Sequence, residues 1–266
     1  MYDRFNRHIN YLRISVTDRC NLRCQYCMPE CGIKLQGHNN ILSFEEIFDV
    51  VQAAVGLGIT KIRLTGGEPL VRKNIVKLVE LIASVKNIND FSLTTNGILL
   101  EELALPLKLA GLHRVNVSLD TTNPARYAEI TRGGEIERVF RGIEAAKQAR
   151  LLPVKINCVV TKNSQEPDAL LVKDYCKKNG LEARYIKKMN LETGEFSVVE
   201  GGNGGNCSLC NRLRLTANGM VKPCLFDENE FSARELGARE ALIRAINFKP
   251  LKGCLNSRGS FFAIGG

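Results

Sequence analysis

The sequence has no tryptophan, and aromatic residues make up only 6% of its 266 positions. A surface that stacks single-stranded bases needs aromatic faces, and the lysines and arginines form no blocks. The net charge of +9 therefore points away from nucleic acid and toward a small polyanion, such as a phosphorylated substrate, met locally. No apolar run is long enough to cross a bilayer. The start, Met1 to Asn10, is polar and mixed in charge, unlike a secretory leader. The expectation is a cytoplasmic protein without a membrane partner. With 44% hydrophobic residues, the chain suffices for one large domain, or one domain with an appendage.

Cysteine is plentiful by contrast: ten residues, with no sign of an oxidising compartment, so metal ligation is favoured over disulfides. Six fall into two tight sets, Cys20/Cys24/Cys27 and Cys207/Cys210/Cys224. The first has the spacing C-x3-C-x2-C on one loop. A structural zinc site wants four protein ligands, and no fourth is evident. A cubic iron–sulfur cluster on three thiolates instead keeps one iron open, where a small molecule can bind and accept an electron. In the second set Cys207-x2-Cys210 is also a common zinc half-site, so zinc stays a serious alternative there. Cys254 lies too far along to be a good fourth ligand. It reads, with Cys31, Cys158 and Cys176, as a reduced packed or surface thiol.

Periodicity gives six strands alternating with helices. The strands are Tyr11 to Thr17, Lys61 to Thr65, Phe91 to Thr95, Arg114 to Leu119, Pro153 to Val160 and Glu182 to Ile186. Helices are expected over Ser43 to Gly56, where Ser43 and Glu46 form a capping box. Others are expected near Lys73 to Val85, Glu101 to Ala110, Ile136 to Arg150 and Glu166 to Asn179. That alternation means parallel βα units, two short of a closed eight-fold barrel. Parallel strands buried on both faces should be apolar on both. Here one face offers Arg13, Arg63, Thr94, Asn116, Ser118, Lys155, Asn157 and Arg184. Curled inward, that face makes a polar lumen with four cations. Chemistry in such barrels sits at the C-terminal strand ends, where the first cysteine loop and Thr65-Gly66-Gly67-Glu68-Pro69 both lie. Met189 to Asn206 is a glycine-rich stretch, flexible by composition. Beyond it, Arg212 and Arg214 share one side of an extended segment, suited to forking phosphate oxygens.

The first cysteine motif, with Tyr26 before the third thiol, resembles the radical S-adenosylmethionine (SAM) superfamily. Gly66-Gly67-Glu68-Pro69 resembles that family's SAM-binding motif. With Thr95-Asn96-Gly97, Ser118-Leu119-Asp120, Cys210-Asn211-Arg212-Leu213-Arg214-Leu215-Thr216, Lys222-Pro223-Cys224-Leu225 and the terminal Gly265-Gly266, the chain resembles the GTP 3′,8-cyclase family of molybdenum-cofactor biosynthesis. The resemblance implies an α/β fold, a partial (β/α)6 TIM-type barrel over residues 1–190. A shortened linker over 191–206 and a small C-terminal domain over 207–266, carrying a second iron–sulfur cluster, would complete it. It implies two [4Fe–4S] clusters, one on Cys20, Cys24 and Cys27 and one on Cys207, Cys210 and Cys224. Tyr26, Gly67, Ser118 and Met189 would touch SAM. Arg13, Arg63, Thr94, Lys155, Arg212, Leu213 and Arg214 would touch GTP. No catalytic side chain is implied beyond cluster-bound SAM, whose 5′-deoxyadenosyl radical takes hydrogen from ribose C3′ before C3′ attacks guanine C8. The lyase product would be (8S)-3′,8-cyclo-7,8-dihydroguanosine 5′-triphosphate. A reductant such as flavodoxin or ferredoxin and the downstream cyclic pyranopterin monophosphate synthase would be partners; a homodimer stays open. The terminal glycines resemble a tail reaching into the active site.

The chain departs from the family before Cys207, where relatives have a much longer segment. Two other readings therefore stand beside the cyclase: a radical SAM enzyme with an auxiliary cluster that modifies a peptide, and an inactive, purely metal-binding scaffold.

Overall fold

The structure, a computed structural model, describes residues 1–257. The Gly265-Gly266 tail lies outside the described residues. Six strands run parallel and in sequence order: β1 (Tyr11–Ser15), β2 (Lys61–Thr65), β3 (Asp90–Thr95), β4 (Arg114–Ser118), β5 (Lys155–Val160) and β6 (Glu182–Lys187). The helices between them are α1 (Phe44–Gly56), α2 (Ile75–Ala83), α3 (Leu100–Leu109), α4 (Pro124–Thr131), α5 (Ile136–Gln148) and α6 (Pro167–Asn179). The expected capping box holds α1. Glu46 N–H donates to Ser43 Oγ at 3.1 Å, and Ser43 N–H donates to Glu46 Oε2 at 2.6 Å.

α4 was not foreseen, because its hydrophobic repeat is weak. Its start is nonetheless written in an Asn-Pro pair. Asn123 accepts from Arg126 N–H at 3.0 Å, and Pro124 takes a first-turn position that needs no donor.

The chain then returns to the sheet. β7 (Arg212–Leu215) pairs parallel with β1, and the antiparallel β8 (Met220–Lys222) and β9 (Phe231–Ser232) follow it. α7 (Ala233–Leu236) and α8 (Ala238–Asn247) complete the described elements, α8 packing on α1. One sheet of nine strands thus runs from β6 through β1 to β9. The second cysteine region is continuous with the barrel sheet because β7 extends it.

Strand register explains the two unlike faces. Leu12, Ile14, Ile62, Leu64, Leu93, Val115, Val117 and Ile156 are fully buried against the helices. Each such side chain contributes roughly 1.5–3 kcal/mol. On the other face Arg13 stands level with Arg63 on one side and Arg214 on the other. Tyr11 is level with Lys61 and Arg212, and Asn157 with Ser118 and Arg184. Register partners point the same way, so the polar face is continuous across the sheet.

The glycine-rich stretch is packed where composition argued for flexibility. Tyr185 bridges to Glu200 and Asn190 to Glu195. Gly201 and Gly205 have φ of +78°, and a Cβ on Gly205 would collide with the Ser197 carbonyl. One on Gly201 would lie 2.7 Å from the Ala183 carbonyl. Glycine here allows a tight wall against β6 rather than a loose tether.

Candidate active site

Two cavities adjoin along the polar face, sharing Thr94, Asn157, Ile186 and Met189 in their walls. The smaller, about 200 Å³, is lined by Cys20, Cys24 and Cys27 together with Tyr26, Gly67 and Ser118. The larger, about 310 Å³, is lined by Cys207, Cys210 and Cys224 and by a crowd of cations.

The first cysteine loop is held from three sides. α4 receives it: Gln25 N–H donates to Ile130 O at 3.0 Å, and Arg132 Nη1 donates to Arg23 O at 2.8 Å and Met28 O at 3.0 Å. The glycine pair after β2 presses against it, since a Cβ on Gly67 would collide with the Arg19 carbonyl. Gly67 N–H donates to Thr17 O at 2.7 Å and Glu68 N–H to Arg19 O at 2.8 Å. Buried Glu68 then ties in the loop after β3. Its carboxylate accepts from Leu70 N–H at 3.0 Å, Thr95 Oγ1 at 2.8 Å and Asn96 N–H at 2.7 Å. Burial pushes the Glu68 carboxyl up to about 7 against those hydrogen bonds. Tyr26 donates its hydroxyl to Asp120 at 2.8 Å, and burial pushes Asp120 up to about 6.

The second set is built by the β7–β8 hairpin. Cys210 precedes β7 and Cys224 follows β8, so the hairpin returns the third thiol to the first two. Arg7, paired with buried Asp3 at 2.7 Å, donates to Cys207 O at 2.8 Å and Pro250 O at 2.7 Å. Lys249, 1% exposed, donates to Arg212 O at 2.7 Å and Pro223 O at 2.6 Å. Burial raises the Cys210 thiol, yet Lys249 and Arg212 outweigh it and bring it down to about 7.

Of the residues the resemblance assigned to GTP, Arg13, Arg63, Thr94, Arg212 and Arg214 line the larger cavity. Lys155 stands apart: it pairs with Glu182 at 2.6 Å and does not line that wall. Leu213, between the two arginines, is wholly buried on the core face, so only its backbone is available on the cavity side. Met189 lines both cavities. Arg184 and Arg212 each have a buried Nε without a hydrogen-bond partner, which is what a missing acceptor leaves behind. Tyr11, Lys61 and Lys249 were missed. Tyr11 and Lys61 carry a signal in the two-residue period that selected Arg13 and Arg63; Lys249 sits just after a helix, with no local pattern to mark it.

Both thiol sets suit a cluster held by three thiolates. In each, all three thiols face one cavity, and all ten cysteines are free. Among the described residues no three His, Cys, Asp or Glu side chains converge closely enough to hold a single metal ion.

Comparison with known proteins gives concordant results. The radical SAM superfamily matches residues 14–173. The GTP 3′,8-cyclase of Moorella thermoacetica is 42% identical over 303 aligned residues, covering 94% of either chain. That of Thermodesulfovibrio yellowstonii is 41% identical with the same coverage. An aligned length of 303 exceeds the 266 residues present here, so the relatives carry residues this chain lacks. Among solved structures, Streptococcus suis SuiB bound to S-adenosylmethionine superposes with a TM-score of 0.67 at 17% identity. That match covers 93% of this chain and 65% of SuiB. An anSMEcpe structure with bound AdoMet gives 0.54 at 24% identity, covering 70% of this chain and 51% of the other. These two likenesses concern the fold alone.

Proposed function

The chain belongs to the GTP 3′,8-cyclase family of radical SAM enzymes, and on that premise we propose how its own residues divide the work. Cys20, Cys24 and Cys27 hold the SAM cluster, with Tyr26, Gly67, Ser118 and Met189 around SAM itself. Cys207, Cys210 and Cys224 would hold a second [4Fe–4S] cluster, which would supply a further binding point for the nucleotide in the larger cavity. When bound, SAM at the first cluster supplies the organic radical that takes hydrogen from the ribose.

The protein's part is placement. Arg13, Arg63, Arg184, Arg212 and Arg214 bind the triphosphate, each charge-assisted contact contributing roughly 1.5–3 kcal/mol. The nucleotide lies in the larger cavity among these arginines and the second thiol set, with its ribose turned toward the shared wall at Thr94 and Asn157. Holding C3′ against C8 and excluding water is worth more here than any acid or base. The packed stretch from Phe196 to Asn206 closes this cavity, taking the place of the longer segment in relatives. The electron comes from a reductant protein such as flavodoxin or ferredoxin. The product passes to cyclic pyranopterin monophosphate synthase in molybdenum-cofactor biosynthesis.

The observation that carries this reading is the pairing of a three-thiol cavity with an arginine-lined three-thiol cavity through a common wall. Anaerobic protein with both clusters should form 5′-deoxyadenosine from SAM in a GTP-dependent manner. SAM cleavage indifferent to GTP would return the peptide-modifying reading; zinc in place of iron, without cleavage, would return the scaffold.

A further inference from the structure

Tyr11 belongs to none of the motifs above, yet the basic cavity is arranged around it. Three guanidiniums pack on its ring. Arg63 lies 5.4 Å from the ring centroid, Arg13 5.6 Å and Arg212 5.9 Å. They come from three adjacent strands, β2, β1 and β7. Arg13 Nε also donates to the phenol oxygen at 3.1 Å. Guanidiniums this crowded repel one another, and burial with neighbouring cations presses Arg63 and Arg214 down to about 9. An aromatic ring among them gives each a face to pack on.

We propose that Tyr11 is a positioning residue for the polyphosphate: its neutral ring spaces the three guanidiniums, and its ionised form competes with the substrate for them. This rests on the reading that the cavity takes GTP. Around the phenol, β1 presents Arg13, β2 presents Lys61 and Arg63, and β7 presents Arg212 and Arg214. Two strands from Tyr11 on the same face, Asp90 is level with Lys61, and the lining also includes Arg184 on β6, with Cys210, Cys224 and Lys249 at the second thiol set. Asp90 is already held by Arg114 at 2.7 Å. Apart from the thiols, it is the one acidic group other than the phenol among the described residues lining the cavity.

The sign follows from charge. Burial alone raises the phenol, but Arg13, Arg63 and Arg212 together outweigh it and bring it to about 8. A bound polyphosphate adds negative charge and raises the phenol again, so above that pH binding takes up a proton. Affinity then falls as pH rises, by up to roughly tenfold per pH unit, the limit for one coupled proton.

The test is GTP affinity of the anaerobic, iron-loaded protein at about pH 7.5 and pH 9. The variants are Tyr11→Phe, which keeps the ring and loses the ionisation, Tyr11→Leu, which loses both, and the double change Arg212→Ala with Arg214→Ala. Tyr11→Phe should match the parent at the lower pH and bind several-fold more tightly at the higher. Tyr11→Leu should bind roughly tenfold more weakly at either pH. The arginines are common to the parent and Tyr11→Phe, so the difference between those two profiles isolates the phenol. Identical profiles for the parent and Tyr11→Phe overturn the inference while leaving the GTP cavity intact, and this arm stands even if Tyr11→Leu does not fold. Unchanged affinity in a folded Tyr11→Leu also overturns it. Undiminished binding in the double arginine variant overturns the cavity reading, and the inference with it.

Discussion

The two cysteine sets have the same number of thiols and unlike surroundings. Around the first, burial pushes Cys24 up to about 12, and the neighbouring Asp120 and thiols add to it. Cys27 goes up to about 11, from burial and then Cys20. At the second, burial acts on Cys210 in the same sense, but Lys249 and Arg212 reverse it, to about 7, whereas at Cys224 burial still prevails over Lys249 and the thiol stays raised. The second cavity, lined by five arginines, suits a polyphosphate, whereas the first has Glu68 as its one lining carboxylate among the described residues, beside Lys187 and Lys188. One sheet thus offers a strongly basic cavity at one end and, at the other, a cavity whose few charged groups are of mixed sign.

The hardest way to break the comparison is to remove one ligand from each end. Cys20→Ala should abolish SAM cleavage and lower the iron content by about half. Cys224→Ala should also lose about half the iron but retain SAM cleavage, now insensitive to GTP. Iron analysis beside 5′-deoxyadenosine yield reads both. If either change emptied both sites, the two ends would not be independent.

A smaller effect separates the clamps. Each end has a cation donating to two backbone carbonyls, Arg132 to Arg23 and Met28 at the first, Lys249 to Arg212 and Pro223 at the second. Arg132 is exposed and Lys249 is buried. Lys249→Met leaves buried carbonyls unpaired and strips a counter-charge from Cys210, at a cost of about 3–5 kcal/mol. Arg132→Met should cost about 1–2 kcal/mol, since water replaces the lost donor. Urea midpoints of the two variants check the ranking, and equal losses would contradict it.

The two ends also differed in how far the sequence disclosed them. Strand alternation found all six barrel strands and put Arg13, Arg63, Asn157 and Arg184 on one face, because period-two patterning is a local property. The cysteine spacings and the glycine pair were equally local. Three features escaped. α4 has no strong apolar repeat, and its grip on the cysteine loop depends on Arg132 in a left-handed backbone position at its end. β7 is four residues long, so nothing local says that it pairs with β1 across two hundred residues. The Phe196 to Asn206 wall was taken for a tether because its glycines suggest freedom, whereas their close approach to Ala183 and Ser197 is visible only in three dimensions. Lys155 shares the polar face as the pattern implied, and it also pairs with Glu182 on the next strand.

A comparably small, pH-dependent effect tests the carboxyl beside the first thiol set. Glu68 has its folded carboxyl pushed up to about 7 by burial, from an ordinary value of 4.5. Between those two values the folded chain binds a proton that the unfolded chain has released, so stability falls as pH rises across the window. The contribution is complete below the lower value and gone above the upper one. From about pH 5 to pH 7.5 the loss should be about 2 kcal/mol. Asp120, pushed up to about 6 from 3.8, acts in the same direction at lower pH. Glu68→Gln should therefore flatten the dependence in part and leave a residual slope confined to the more acidic side. It also places an amide donor opposite Asn96 N–H or Leu70 N–H, so the variant should be less stable throughout, by about 1–3 kcal/mol. Urea midpoints across that pH range, at matched iron content, separate the offset from the slope. A slope in Glu68→Gln as steep as the parent's would mean that the carboxyl is already ionised in the fold, held so by its three donors. Glu68 would then carry a permanent charge in the first cavity, where burial alone would leave it half protonated near neutral pH.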